Sequence, residues 1–122
     1  MPSPLIVSQR EMYWCEPDPN DTEGSEIEKD RPWVVVSISA LHRGNCVVGI
    51  PLSTQMHKAR AHLIAVPKNE ITMDDGTPSV DCVALTDQIR ALDKTRFRRK
   101  AGFVSQRALD SILLGLQRLL GI

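Results

Sequence analysis

Apolar positions in the middle of the chain fall into short runs separated by turn-forming residues. The runs at 12–15, 33–38, 46–52, 61–66 and 80–85 are mostly apolar, and each has the length of a β-strand. Residues 42–45 and 74–78, the second of which reads Asp-Asp-Gly-Thr-Pro, are typical of turns. Short strands at this spacing predict a small barrel or sandwich.

The end of the chain has a different period. Its apolar residues recur at helical spacing from Ser105 onwards: Ala108, Leu109, Ile112, Leu113, Leu116, Leu119 and Leu120. Ser105 precedes this stripe as a candidate N-cap, and Gly121 follows it in the position that glycine favours after a helix. The sequence therefore predicts one C-terminal amphipathic helix that packs on the barrel.

Charge is distributed unevenly along a chain whose formal net charge is zero. Residues 11–30 carry eight acidic groups and one basic group, whereas residues 94–107 carry six basic groups and no acidic one. A net charge of zero argues against bulk attraction to nucleic acid, but this asymmetry permits a local basic patch. The alternative is two solvated surfaces of opposite sign. Residues 20–30 include a single apolar residue, which is typical of a functional loop or of disorder.

Cysteine and histidine usage limits the chemistry further. Cys15, Cys46 and Cys82 are odd in number and widely spaced, which suits buried thiols in a reducing compartment. His57 and His62 are five residues apart, so they share neither a helix face nor a strand face. We expect no metal site and no cofactor. No apolar segment is long enough to cross a membrane, and no signal peptide is evident, so we expect a cytoplasmic protein.

Three blocks of residues follow one another in an order that resembles a known family. The first is Gly24-Ser25-Glu26, four intervening residues, and Arg31-Pro32 leading into a hydrophobic strand. The second is Pro-Leu-Ser-Thr-Gln at 51–55, and the third is Leu-Thr-Asp-Gln-Ile-Arg-Ala-Leu-Asp at 85–93. Together they resemble the MazF/PemK toxins, over a region that extends from residue 11 to the C-terminus.

The resemblance implies a mainly β fold, a small SH3-like barrel of the CcdB/PemK type with a C-terminal α-helix. We expect one domain over residues 1–122, with residues 1–10 as a candidate N-terminal extension. Members of the family usually open with Gly-Asp or Gly-Glu before the first strand. This chain has Arg10-Glu11 there.

The resemblance also implies an activity, that of a sequence-specific endoribonuclease toxin of a type II toxin–antitoxin system. It would cleave single-stranded RNA without a metal and leave 2′,3′-cyclic phosphate and 5′-OH ends. The 2′-OH next to the scissile phosphate is the nucleophile, so the enzyme has to accept a proton and stabilise charge. Glu26 is the candidate general base, Arg31 the candidate charge stabiliser, and Ser53 and Thr54 match hydroxyls that contact phosphate. A surface ion pair between Glu26 and Arg31 is the alternative.

Further residues match positions that line the RNA groove of the family. They are Ser25, Gln55, Lys58, His62, Asp87 and Gln88. Amide and carboxylate groups can read unstacked base edges, although Asp87 and Gln88 could equally make sheet-edge hydrogen bonds. Lys58 is a candidate phosphate contact or a solvated lysine.

The implied partners are single-stranded RNA, a cognate antitoxin protein and a second copy of the chain in a homodimer. Two other functions stay open on the sequence. One is a gyrase poison of the CcdB type, which shares this fold but acts by binding a protein; the other is a relative that binds RNA or antitoxin without cutting. The Glu26–Arg31 loop and the Ser53-Thr54 pair favour the ribonuclease, because a gyrase binder would depend chiefly on its C-terminal end.

Overall fold

The computed structural model of the chain describes residues 6–15, 31–38 and 44–122. Over these ranges the elements are β1 Glu11–Cys15, β2 Arg31–Val35, β3 Cys46–Ser53, β4 Ile64–Val66, β5 Ile71–Met73, β6 Cys82–Ala84, β7 Arg90–Asp93, β8 Phe97–Val104 and α1 Gln106–Leu120. Short 3₁₀ helices lie at Met56–Lys58, Lys68–Glu70, Thr86–Gln88 and Lys94–Arg96.

The strands form one strongly curved antiparallel sheet in the order β4-β6-β3-β2-β1-β8-β5. β3 is the strand at which the sheet divides, because its first half pairs with β7 and its last two residues pair with β6. A strand shared in this way turns the sheet around a corner and gives it the shape of a nearly closed barrel. The predicted mainly β barrel with a C-terminal helix is confirmed.

Both faces of the central strands are buried, and side chains alternate between two clusters. Met12, Val34 and Ile50 point to the first cluster, where they pack with the buried face of α1. Their sequence neighbours Tyr13 and Val35 point to the second cluster. The other members of this second cluster are Val7, Cys15, Trp33, Val47 and Leu92, with Phe97 packed against them. The period of two in each strand therefore places Arg31, which precedes Trp33 by two residues, on the face of the second cluster.

The C-terminal helix begins and ends where the sequence predicts. The Ser105 hydroxyl accepts a hydrogen bond from the Ala108 N–H at 3.0 Å, and Gly121 ends the helix in the left-handed region, with φ at 73°. Ala108, Leu109, Ile112 and Leu116 are buried as expected, whereas Leu120 is exposed. None of the helices in the described ranges combines the length and apolar character needed to span a bilayer.

Strand boundaries differ from the sequence prediction in several places, and the eight-residue strand β8 was not predicted. β2 starts at Arg31 rather than at Trp33, because Arg31 and Pro32 pair with β1 even though pairing with β3 starts only at Trp33. Pro32 lies before the pairing with β3 begins, where a residue without an N–H costs no hydrogen bond to that strand. β4 is shorter than predicted and begins at Ile64, since residues 61–63 form a bend. β5 has three residues and was not predicted.

The third block of the family resemblance is not a continuous strand. Thr86–Gln88 form a 3₁₀ helix, and β7 begins only at Arg90. The interruption lies between β6 and β7, which pair with different halves of β3. The chain leaves the sheet there as it passes from one half to the other.

The residue before the first strand, Arg10, has a backbone conformation that accounts for the glycine of the family pattern at this position. Arg10 has a φ of 81°, in the left-handed region, and the described ranges contain no other non-glycine residue with positive φ. Its N–H donates to the Val35 carbonyl at 2.9 Å, and its carbonyl accepts from the Val104 N–H at 3.0 Å. Glycine, the residue that members of the family usually have there, adopts this conformation without steric cost.

Candidate active site

The candidate site lies where β2 begins and β3 ends. Trp33 of β2 faces Pro51 of β3, and extending this antiparallel register by two residues brings Arg31 level with Ser53. Both residues lie on the sheet face that carries the second cluster, and Thr54 follows Ser53 immediately on the surface. By this extension of the register, Arg31, Ser53 and Thr54, three of the four predicted catalytic residues, lie at neighbouring strand ends. Glu26, the fourth, and Ser25 lie outside the described residues.

Arg31 carries the most unusual polar atoms of this region. Its backbone pairs with Cys15 of β1, but its Nε and Nη1 atoms are buried and have no hydrogen-bond partner within the described part of the chain. Buried donors without partners are rare, and each costs about 1–3 kcal/mol. A guanidinium presents its donors in a fork that matches two oxygens of a phosphate. Two oxygens of a bound anion could therefore satisfy these donors.

The two hydroxyl residues differ in their surroundings. Ser53 is only 5% exposed, and its oxygen accepts a hydrogen bond from the Gln55 N–H at 3.1 Å. This bond shapes the turn after β3 and leaves the hydroxyl hydrogen of Ser53 free to be donated. Thr54 is exposed. The pair can therefore provide one fixed donor and one accessible donor beside Arg31.

The remaining predicted contact residues sit on two segments that flank the end of β3. Gln55, Lys58 and His62 belong to residues 54–63, which we call the connector because it joins β3 to β4; Gln55 is exposed and the other two are half-buried. Asp87 and Gln88 lie on the 3₁₀ helix Thr86–Gln88, with Asp87 exposed and Gln88 half-buried.

The 3₁₀ helix is tied directly to β3. The N–H of Leu85 donates to the carbonyl of Pro51 at 3.0 Å, two residues before Ser53. The structure thus places both flanking segments next to the same strand end. The alternative of sheet-edge hydrogen bonds for Asp87 and Gln88 is not supported by their position on a helical turn.

Sequence reasoning missed three residues that shape this region, namely Thr86, Gly115 and Arg118. Thr86 is fully buried although it is polar, and its hydroxyl donates to the carbonyl of His62. Arg118 of α1 donates through Nη1 to the carbonyl of Ala61 at 3.1 Å. Gly115 offered the only usable signal, because a glycine inside a helical pattern often marks a close approach of two backbones.

Cys82 is a buried thiol, and the histidines of the described residues belong to no metal cluster. Burial raises the pKa of the Cys82 thiol to about 11, so it stays protonated at neutral pH and is a poor nucleophile. Over residues 6–15, 31–38 and 44–122, no group of three or more histidine, cysteine or acidic side chains is arranged to hold a metal ion. His57 and His62 do not form part of any such cluster.

Comparisons with known proteins agree with this architecture. The sequence model of a family described as PemK-like, MazF-like toxin of type II toxin–antitoxin system matches residues 8–120. No curated protein sequence matches the chain. A MazF structure from Deinococcus radiodurans is similar with a TM-score of 0.73 and 20% identity, over 98% of this chain and 100% of that one.

Two structures from mycobacterial species are also similar. An endoribonuclease matches with a TM-score of 0.69 and 21% identity, over 97% of this chain and 94% of that one. An endoribonuclease in complex with its cognate antitoxin matches with a TM-score of 0.69 and 20% identity, over 95% of this chain and 96% of that one. At such identities the likeness shows a shared fold.

Proposed function

The chain belongs to the PemK-like, MazF-like toxin family of type II toxin–antitoxin systems, and from this premise we propose that it is an endoribonuclease toxin. In the proposed reaction it cuts single-stranded RNA at a short sequence, without a metal ion, and leaves a 2′,3′-cyclic phosphate and a 5′-OH. Solved structures with the same fold carry the name endoribonuclease, which supports the reaction class. The site residues support the chemistry.

One observation carries the proposal: the Nε and Nη1 atoms of Arg31 are buried and have no hydrogen-bond partner among the described residues. A bound phosphodiester would supply acceptors for both atoms at once. Negative charge on the phosphate oxygens grows as the 2′-oxygen attacks phosphorus, so a fixed guanidinium stabilises the transition state more than the ground state. An exposed arginine would lose much of this effect to screening by water.

The remaining steps can be assigned to residues close to Arg31 in the fold or the sequence. The 2′-oxygen forms a bond to phosphorus, the bond from phosphorus to the 5′-oxygen breaks, and the 2′-OH proton passes to the Glu26 carboxylate, our candidate base. The protonated carboxyl or water returns a proton to the 5′-oxygen. Ser53 donates its hydroxyl hydrogen to a phosphate oxygen, because the Ser53 oxygen already accepts from Gln55. Thr54 makes the second such contact.

Base recognition is assigned to the two segments beside the end of β3. Gln55, Lys58 and His62 on the connector and Asp87 and Gln88 on the 3₁₀ helix offer amide, ammonium, imidazole and carboxylate groups. These are the groups that read the edges of unstacked bases. We add Ser25 on the strength of the family motif.

Two protein partners belong to the proposal. One is a cognate antitoxin, since a structure with this fold is a mycobacterial endoribonuclease bound to its own antitoxin. The other is a second copy of the chain, in a homodimer with the RNA groove across both subunits. An antitoxin segment that covers the groove would compete with RNA.

The proposed function is tested by incubating the purified protein with mixed-sequence single-stranded RNA in excess EDTA. Products are mapped at both ends, and the 3′ ends are tested for resistance to phosphatase before and after acid treatment, which opens a cyclic phosphate. We expect cleavage in EDTA with cyclic phosphate ends. Cleavage that requires Mg²⁺, or a protein that cuts no RNA under either condition, would overturn the proposal.

A further inference from the structure

The connector, residues 54–63, makes little use of the sheet to hold its shape. Strand pairing on this side resumes only at Ile64, which faces Ala84. Before it, the carbonyl groups of Ala61 and His62 accept hydrogen bonds from side chains that are distant in sequence. Arg118 donates to Ala61 at 3.1 Å, and the Thr86 hydroxyl donates to His62. The end of the connector is therefore positioned by these side chains.

Thr86 joins the two segments to which base recognition is assigned. It is wholly buried, and it opens the 3₁₀ helix that carries Asp87 and Gln88. Through its hydroxyl the same residue binds the backbone of His62 on the connector. A buried hydroxyl without this acceptor would be unsatisfied, so the hydrogen bond sets the separation of the two segments.

Helix α1 lies in close contact with the carbonyl group of His62. A Cβ atom added to Gly115 would lie 2.9 Å from the carbonyl oxygen of His62 and 2.6 Å from Cγ1 of Ile64. Both separations are too short for real contacts, so only glycine allows the helix to lie this close. The His62 carbonyl is thus held between Thr86 on one side and the helix backbone at Gly115 on the other.

We propose that Thr86, Gly115 and Arg118 form a clamp that sets the RNA sequence preference of the enzyme by fixing the connector against the 3₁₀ helix Thr86–Gln88. None of the three is a catalytic residue; they are positioning residues. The inference rests on the proposed function and deepens it. Hydrogen bonds to base edges tolerate little displacement, so loosening the clamp alters which bases are accepted.

The clamp holds the far end of the connector, at Ala61 and His62, whereas Thr54 and Gln55, which adjoin Ser53, lie at its near end. Arg31 is held by its pairing with Cys15 of β1, and Ser53 by its pairing with Val83 of β6. Neither pairing involves the connector or α1. Loosening the clamp should therefore raise KM and broaden the set of cleavage sites, while kcat for the preferred sequence stays close to the wild-type value.

Thr86→Val is the main test, because it keeps the shape of the side chain and removes the hydroxyl; Thr86→Ser restores the donor. Arg118→Ala removes the second contact from an exposed position, and Arg107→Ala is its matched control on the same helix. Each variant is assayed for thermal stability, KM, kcat and the distribution of cleavage sites on mixed-sequence single-stranded RNA. Amide hydrogen exchange over residues 54–63, measured in the absence of RNA, reports how firmly the clamp holds the connector.

In Thr86→Val and Arg118→Ala we expect faster amide exchange in the connector and additional cleavage sites. KM should rise about threefold to tenfold for the loss of one hydrogen bond, and kcat should stay within about twofold of the wild-type value. Thr86→Ser and Arg107→Ala should match the wild type. If the wild type cuts RNA and Thr86→Val and Arg118→Ala share its KM and site preference, the clamp is refuted and the proposed function stands. A wild type that neither binds nor cuts RNA refutes both. A fall in kcat with unchanged preference refutes the positioning role.

Discussion

Arg31 and Phe97 lie in one cross-strand row of the sheet, each paired with Cys15 from opposite sides. Two strand spacings separate them, which is about 10 Å. The register of β1 and β8 shifts between Trp14 and Cys15, so that Arg98 is an extra residue on β8 at this point. Such a bulge redirects a side chain and bends its strand. The basic stretch of β8 therefore begins one residue beyond the row that holds Arg31.

Replacing Arg31 tests the anion site directly. Arg31→Ala should lower the rate of RNA cleavage at saturation by a hundredfold or more, since loss of a preorganised donor typically costs about 3–4 kcal/mol in the transition state. The variant should be at least as stable as the wild type, because it removes two buried donors that have no partner among the described residues. Arg31→Lys should be intermediate, since it keeps the charge but not the fork.

Single-turnover cleavage and thermal unfolding measure both effects, with Arg107→Ala as the control for loss of one arginine. Wild-type cleavage by a folded Arg31→Ala protein would show that Arg31 is structural. A large fall in melting temperature would show that its guanidinium has partners in the free protein.

Arg98 should contribute to RNA binding through charge alone. Arg98→Ala is expected to weaken binding to all single-stranded sequences similarly and to reduce the slope of log K against log salt by about 0.7. Lys100→Ala, which removes from the same strand a charge that pairs with Glu11 at 3.0 Å, is measured alongside. Fluorescence titrations at several salt concentrations give both slopes. A sequence-dependent loss, or equal slopes for Arg98→Ala and the wild type, would contradict this role.

The left-handed conformation of Arg10 should be measurable as strain. Arg10→Gly is expected to be more stable than Arg10→Ala by about 1 kcal/mol, because alanine keeps the steric cost at a φ of 81° and glycine does not. Both variants lose the contact of the guanidinium with the Phe103 ring, 5.8 Å from its centroid, so the comparison isolates the backbone. Urea unfolding monitored by tryptophan fluorescence gives the difference. Equal stability would mean that the strain is absent.

Glu11 should make stability depend on pH in the acid range. Burial alone would raise the pKa of Glu11, but hydrogen bonds from the Ser8 N–H at 2.7 Å, Lys100 and Tyr13 outweigh it and hold the pKa below its ordinary value of 4.5. A lowered pKa in the folded state favours folding above pH 4.5, and this contribution is lost as the pH falls through the folded value.

Glu11→Gln should therefore be less stable than the wild type by roughly 0.5–1 kcal/mol near neutral pH, a modest figure because Lys100 is exposed. The gap should close as the pH falls below about 4. Chemical unfolding over pH 3–7 measures it, with Asp110→Asn on the surface of α1 as the control. A gap that stays constant across this range would rule out the ionic contribution of Glu11.

The proposed partners give a competition experiment. We expect the free protein to sediment as a homodimer at micromolar concentration. We also expect added cognate antitoxin to inhibit cleavage in proportion to the fraction of toxin whose groove it occupies. Sedimentation of a monomer would refute the dimer. A ternary complex in which bound antitoxin leaves RNA cleavage unchanged would refute the competition.

Local patterns in the sequence were sufficient for much of the fold. The period of α1 and its caps at Ser105 and Gly121 follow from interactions within a few residues, so they are visible in one dimension. The same holds for the apolar runs of β1 and β3. Arg31, Ser53 and Thr54 were predicted from their motifs, and the register of β2 and β3, extended by two residues, sets Arg31 level with Ser53.

Interactions between distant segments decided the rest. The length of β4, the existence of β5 and the helical turn at Thr86 depend on which strand or side chain satisfies each backbone group, and no local pattern encodes that choice. The left-handed Arg10 is held by hydrogen bonds to Val35 and Val104, far away along the chain. The burial of the Arg31 nitrogens and the contacts of Thr86 and Gly115 with His62 likewise exist only once the sheet and α1 have closed around them, because burial is a property of the packed molecule.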